Sequence, residues 1–247
     1  MIQVTNVRKS FGSSEILCGV TLVIQPGQLV GIIGRSGAGK SLLARCITGL
    51  DSIDSGSIEC DGLALNPRTT RFAPESVQVR KRVGMVFPPA VVAPYRTALD
   101  LILEGLVYVQ GLSCADAHSA AAPWIERLGL SAHILKYPRQ LSTGQLARVS
   151  LARAVVMKPD YILCDEITAN LDPILAGEVA DIIRQLVLDG IGVVLITHQI
   201  AFVRREAKYV YYLSNGCIAE QGEAAKVLAS PETGDLEAFI TGVERGR

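Results

Sequence analysis

The chain has 247 residues, with 24 lysines and arginines against 24 aspartates and glutamates; that length buries a core of its own as one domain or one domain with a built-in subdomain, and the balanced charge offers no basic excess for nucleic acid or anionic lipid. Six cysteines are scattered without a CxxC pair and three histidines stand far apart, which argues against a zinc site or a disulfide framework and for the reduced thiols of a cytosolic protein. No apolar run approaches the roughly 20 residues a membrane helix needs, and the start "MIQVTNVRKSFG" lacks the apolar core of a signal peptide, so work at a membrane would go through a partner.

In chain order, short apolar runs bounded by glycine, proline or aspartate recur at "TLVI" (Thr21–Ile24), "LVGIIG" (Leu29–Gly34) and "VGMVF" (Val83–Phe87). They continue at "YILCD" (Tyr161–Asp165), "VVLIT" (Val193–Thr197) and "YVYYL" (Tyr209–Leu213). All six read as strands buried in a mainly parallel sheet. Between Phe87 and about Met157 the strand signal disappears and alanine- and leucine-rich segments such as "TALDLILEGLVYV" take over, which predicts a helical insertion. Val179, Ile182, Ile183, Leu186 and Val187 share one helical face ahead of Gly190, a natural stop. The pattern is α/β, with no internal repeat and no low-complexity tract.

The run "LVGIIGRSGAGKSLLARCITGL" joins a predicted strand to a predicted helix through Gly34, Arg35, Ser36, Gly37, Ala38, Gly39, Lys40 and Ser41, with Leu42 next. This fits GxxxxGK[ST] in the strand-to-helix context that the motif requires. Its glycines let successive backbone N–H groups turn around phosphate oxygens, and the following helix offers its positive end. Lys40 is placed for the β- and γ-phosphates and the Ser41 hydroxyl for a magnesium ion. After the run "YILC", Asp165 can hold that ion through water, and Glu166 can orient and activate an attacking water. A carboxylate pair after a strand is by itself more often a cap or a surface feature; the phosphate loop gives this one its meaning.

Along "LSTGQLARVSLARAVVMKPDYILCDEITANLDP" the chain resembles the nucleotide-binding subunit of ATP-binding cassette (ABC) transporters over nearly its whole length. The family's LSGGQ signature is matched by Leu141, Ser142, Thr143, Gly144 and Gln145, its D-loop by Asn170, Leu171 and Asp172, and its switch histidine by His198. The resemblance implies a P-loop NTPase core at about 1–87 and 158–247, including an N-terminal antiparallel β part, with a helical subdomain at about 88–157. It also implies a head-to-tail homodimer in which Ser142, Thr143, Gly144 and Gln145 of one copy, with Asp172, face the ATP held by the phosphate loop of the other. Membrane permease subunits, and indirectly a substrate-binding protein, are the implied partners, nucleic acid is not, and the implied location is the cytoplasmic face of the plasma membrane. ATP and Mg2+ are the implied ligands. Phe11 falls where the family stacks an aromatic ring on adenine, and His198 where it contacts the γ-phosphate; taken alone, Phe11 reads as core, His198 as a strand cap, and the SxGQ pattern equally well as an ordinary helix N-cap. His118 and His133 read as ordinary helical or loop residues.

Three positions depart from the family. Pro88 stands where the family has a glutamine that reaches the metal and the attacking water, and proline offers neither a side-chain amide nor a backbone donor. Pro89 holds Pro88 extended and stiffens the loop. Pro94, Thr97 and Leu99 then rejoin the family pattern. Thr143 replaces the first signature glycine, keeping its backbone donor, and Ile167 replaces a proline after Glu166. The pieces "DPILAGEV", "THQIAFVRREA" and "SPETGDLEAFI" most resemble the ATPases of polar amino-acid uptake systems, so an importer ATPase is expected. The alternatives are an ATPase for lipid, metal or peptide transport, and a regulatory ATP-binding switch with little turnover.

Overall fold

The computed structural model describes residues 1–87, 93–168 and 171–245. Two sheets carry the strands. The first is antiparallel, in the order β2-β1-β4-β5, from β1 (Ile2–Phe11), β2 (Ser14–Ile24), β4 (Ser55–Cys60) and β5 (Leu63–Leu65). The second has the order β10-β9-β3-β8-β7-β6, from β3 (Leu29–Ile33), β6 (Val83–Val86), β7 (Tyr161–Asp165), β8 (Gly192–Thr197), β9 (Tyr209–Ser214) and β10 (Cys217–Glu223). Its neighbours are all parallel except β10, which returns antiparallel along β9.

Every residue of β3, β7 and β8 is buried, as expected of strands covered on both faces. Their period of two divides them between two cores. Val193 and Leu195 of β8, with Ile162 and Cys164 of β7, join the apolar cluster formed with α3 (Ala98–Tyr108), α4 (Cys114–Arg127), α5 (Thr143–Val155) and α6 (Pro173–Leu188). Val194, Ile196, Tyr161 and Leu163 face the other way, onto α1 (Lys40–Ile47), Val79 of α2 (Pro74–Arg82) and the antiparallel sheet. A third cluster joins Ile33, Val210 and Tyr212 to α7 (Ile200–Glu206), α8 (Ala224–Ala229) and α9 (Gly234–Arg245).

The expected helix at 179–187 is the second half of α6, with Val179, Ile183 and Leu186 buried. Among the described residues between β6 and β7 there are only helices. One strand reading is corrected: Thr21–Ile24 is the end of β2 in the antiparallel sheet, where Thr21 is exposed and Leu22 and Ile24 are buried. Four residues are too few for period to separate a strand covered on both faces from one covered on a single face.

Candidate functional site

The parallel order β3-β8-β7 brings three strand ends side by side, and the loops leaving them meet at the carboxyl edge of the sheet, where open α/β folds bind ligands. From β3 runs the loop 34–39, which α1 follows. Gly34 sits at φ 156°, and an alanine Cβ there would come within 2.2 Å of the Leu213 carbonyl oxygen, so the loop leaves the sheet through a gap only glycine fits. Gly39 caps α1 at φ 99° with no side chain on the first-turn amides. That leaves the N–H groups at the start of α1, including those of Ser41 and Leu42, with no intrahelical partner. Ala38 donates its N–H back to Arg35 O at 3.2 Å, closing the loop on itself.

Lys40 is 7% exposed and its Nζ donates to Gly34 O at 2.8 Å and Arg35 O at 3.0 Å. Burial lowers its pKa, against the raising influence of Glu166 and Asp165. Ser41 Oγ donates to Asp165 Oδ1 at 3.0 Å, tying the start of α1 to the end of β7. Burial raises the Asp165 pKa, the Ser41 hydrogen bond opposes that, Glu166 adds to it and Lys40 opposes it. In both groups burial outweighs the mutual attraction, so the site holds opposite charges that each lack full solvation.

Glu166 follows β7 in a left-handed conformation at φ 51°, a strained choice for a side chain of this size and the kind that clusters at functional sites. Its backbone N–H donates to Ile196 O at 2.8 Å. Its carboxylate accepts from Thr197 Oγ at 3.4 Å and from His198 Nδ1 at 3.0 Å. A cavity of 700 Å³ is lined by Arg35, Ser36, Gly37, Gly39, Lys40, Ser41, Leu42, Glu166, His198 and Phe239.

Phe239 is the contributor that sequence reasoning misses. It belongs to α9, two hundred residues from the loop, its ring stacks on Tyr212 at 5.6 Å, and no local pattern marks it. Asp235 on the same helix accepts from Tyr212 Oη at 2.8 Å and lies 3.7 Å from Arg35 Nη2. Phe11 is 57% exposed at the end of β1, with Lys9 Nζ 5.6 Å from its ring centroid, so it is a surface platform and not the core residue its type alone suggests. The hairpin that carries it abuts the far side of the loop, through Ile16 and Leu17 against Gly39.

The signature residues do not line this cavity. Ser142 N-caps α5: its Oγ accepts from Gln145 N–H at 3.2 Å, while Gln145 Oε1 accepts from Ser142 N–H at 3.1 Å, a capping box. Ser142 and Thr143 are exposed. Gly144 is buried, with Leu175 side-chain atoms 3.0 Å from where a Cβ would sit. Asp172 N-caps α6, its Oδ1 accepting from Ile174 and Leu175 N–H, each at 2.9 Å. Pro88, Pro89 and Asn170 lie outside the described residues.

A carboxyl whose folded pKa is raised binds its proton more tightly in the folded than in the unfolded state. The penalty is therefore absent below the unfolded value and full above the folded one. Asp165→Asn is thus expected to raise resistance to urea at pH 7, with the gain over wild type shrinking as pH falls through the raised pKa. Equal urea midpoints at pH 7 would show that the buried charge carries no such penalty.

Comparison with known proteins agrees with this geometry. The ABC transporter family model matches residues 17–169. The L-cystine transport system ATP-binding protein TcyN of Escherichia coli is 38% identical over 97% of this chain and 96% of its own length. The glutamine transport ATP-binding protein GlnQ of Bacillus subtilis is 37% identical over 98% of each chain. Among solved structures, the ATP-binding cassette MJ0796, in a dimeric post-hydrolysis state bound to ADP and Pi, superposes with a TM-score of 0.80 at 29% identity, covering 91% of this chain and 99% of that one. A phosphate-loop cavity ending in a carboxylate and a histidine, on a fold shared over 91% of the chain with such a cassette and a sequence related over 97% of it, makes this chain an ATP-binding, ATP-hydrolysing member of the ABC transporter family.

Proposed function

We propose that this chain energises uptake of a polar amino acid, working as a head-to-tail pair beneath membrane permease subunits on the cytoplasmic face of the plasma membrane, with a substrate-binding protein delivering the cargo. The observation that carries the amino-acid reading is identity of 34–38% over 97–98% of the chain with ATP-binding proteins of cystine, glutamine, octopine and glutamate transport. No helix among the described residues is long and apolar enough to cross a membrane, which fits a subunit that reaches the bilayer through partners.

The head-to-tail reading is supported by the division of the chemistry. The loop, Glu166 and His198 share one cavity, while Ser142 and Thr143 stand exposed outside it. A second copy can present the Ser142 hydroxyl and the amides that start α5 to the open side of the phosphates, so neither copy completes a site alone. Gln145 and Asp172 then order the two helix starts that face the nucleotide, and Phe11 offers its exposed ring to adenine.

In the reaction, Lys40 leaves the Gly34 and Arg35 carbonyls for the β- and γ-phosphates. Glu166 accepts a proton from water as the water oxygen bonds to the γ-phosphorus and the bond to the bridging oxygen breaks, giving ADP and phosphate. His198, hydrogen-bonded to Glu166 through Nδ1, holds that carboxylate and turns its other nitrogen toward the phosphate. The Ser41 hydroxyl and Asp165 carboxylate, 3.0 Å apart, suit Mg2+: both are hard oxygen donors, and the under-solvated Asp165 charge gains from a cation. When bound, the ion would neutralise charge on the β- and γ-oxygens.

The test is ATP hydrolysis in proteoliposomes holding the cognate permease and binding protein, with and without each polar amino acid. Stimulation by one amino acid, and turnover rising more steeply than linearly with protein when the subunit is alone, are the expected results. Stimulation only by a peptide, lipid or metal would overturn the cargo. Pro88 favours a second reading, a switch that binds ATP with little turnover, and Pro88→Gln separates the two: a silent wild type awakened by glutamine supports the switch.

A further inference from the structure

A histidine with no role in the chemistry above sits behind the signature. His133 lies in the segment between α4 and α5, held by its N–H donating to Leu130 O at 2.7 Å and its carbonyl accepting from Lys136 N–H at 3.0 Å. Its Nε2 is 3.2 Å from Gln145 Nε2, and its Nδ1 is buried with no hydrogen-bond partner among the described residues. The capping box settles which atom is which. Gln145 Oε1 accepts from Ser142 N–H, and a flipped amide would set its NH2 against that N–H, donor against donor. The NH2 therefore points at His133, and His133 Nε2 must be the bare, accepting nitrogen, with the proton on Nδ1.

The same segment serves a second helix. Ile134 O accepts from Leu99 N–H at 2.8 Å and Lys136 O accepts from Ala98 N–H at 2.9 Å. These are the first two amides of α3, which an isolated helix would leave without partners. His133 thus stands on a short strap that caps α3 with its backbone and grips Gln145 with its ring.

We propose that His133 is a positioning residue for ATP hydrolysis: as the neutral Nδ1–H tautomer it fixes the Gln145 amide, and through it the Ser142 cap, and ties the signature to the start of α3. The inference rests on the reading of Ser142 as the group presented to the partner's nucleotide. Displacement of a positioned group by about 1 Å can cost up to a hundredfold in rate, and without His133 the Gln145 amide would keep its oxygen on Ser142 N–H but lose the contact of its NH2.

The test compares His133→Leu, which removes the acceptor, with His133→Gln, whose side-chain oxygen can replace it, in steady-state ATP hydrolysis over a range of ATP concentrations. Nucleotide binding to the isolated chain, thermal midpoint and the imidazole nitrogen NMR signals of the wild type are measured alongside. Expected are a kcat about tenfold lower in His133→Leu with unchanged nucleotide binding, substantial recovery in His133→Gln, and a neutral Nδ1–H ring at His133 that is lost in Gln145→Leu. A kcat for His133→Leu within about twofold of wild type, or no recovery in His133→Gln, overturns the proposal. Should His133→Leu fail to fold, an Nε2–H ring in the wild type overturns it. Ser142→Arg separates the two levels: if it leaves kcat intact, the signature reading itself fails, whereas a dead Ser142→Arg beside a normal His133→Leu sinks the positioning role alone.

Discussion

Glu166→Gln is expected to lower ATP turnover by about 10²–10⁴-fold, the contribution of a positioned general base, while leaving ATP binding intact. The reason lies in how little else the change disturbs. The left-handed backbone of Glu166 is fixed by its N–H bond to Ile196 O, which the substitution keeps. Glutamine has the shape of glutamate: its one oxygen can still accept from His198 Nδ1, and its NH2, in place of the other oxygen, can donate to the Thr197 hydroxyl, the two groups that hold the carboxylate. What it cannot do is take the proton of the attacking water. With binding intact and turnover stopped, ATP-bound pairs should accumulate, because a ligand that binds the closed pair more tightly than the single chain draws the equilibrium toward the pair. Phosphate release and light scattering in the presence of ATP measure both halves. Wild-type phosphate release by Glu166→Gln would remove Glu166 from the role of base and shift attention to His198.

Lys40→Ala acts on the other half of the site and should weaken ATP binding by about 2–5 kcal/mol, the usual cost of truncating one member of a buried, hydrogen-bonded charge pair. On the affinity scale that is about 30-fold to several-thousand-fold. The Lys40 ammonium is buried and its hydrogen bonds go to the carbonyls of the loop itself, so the loop is shaped before any phosphate arrives. Its lowered pKa, caused first by burial, shows an ammonium short of solvation, and phosphate oxygens would supply what water does not. Titration of a fluorescent ATP analogue checks this, with far-ultraviolet dichroism to verify the fold. Affinity within about threefold of wild type would mean that the helix start and the backbone amides carry the phosphate without the lysine.

How much of this was legible in advance differs from element to element. The five apolar runs from Leu29 to Leu213 are all strands of the second sheet, because strands covered on both faces must be apolar throughout and so declare themselves. The hairpins β4–β5 and β9–β10 carry a further mark. Asp61-Gly62 and Asn215-Gly216, with φ of 46° and 83° and of 48° and 76°, are two-residue hairpin turns of the kind that pairing signals announce, but a reading tuned to apolar runs passes over β5, which is only 3 residues long, and β10, whose second half is polar. The exposure of Phe11 was beyond any local pattern, since a phenylalanine at a strand end is core or platform according to what packs on it.

Sequence alone determined the chemistry of the phosphate loop, because backbone turn, helix start, lysine and hydroxyl are all set within eight consecutive residues from Gly34 to Ser41, where local sterics govern. It also nominated the residue types expected to serve the reaction and, through the resemblance, identified the family. Only the tertiary structure decided which of them meet. Strand order set Asp165 beside Ser41 and His198 beside Glu166 across gaps of 124 and 32 residues, brought Phe239 to the cavity wall, and left Ser142 and Thr143 outside it. It also set the His133 ring against the Gln145 amide, a contact that the spacing of His133 does not signal. Pairing of this kind depends on long-range packing of buried apolar faces, which is non-directional; directional contacts such as these are realised only after that packing has fixed where each strand ends.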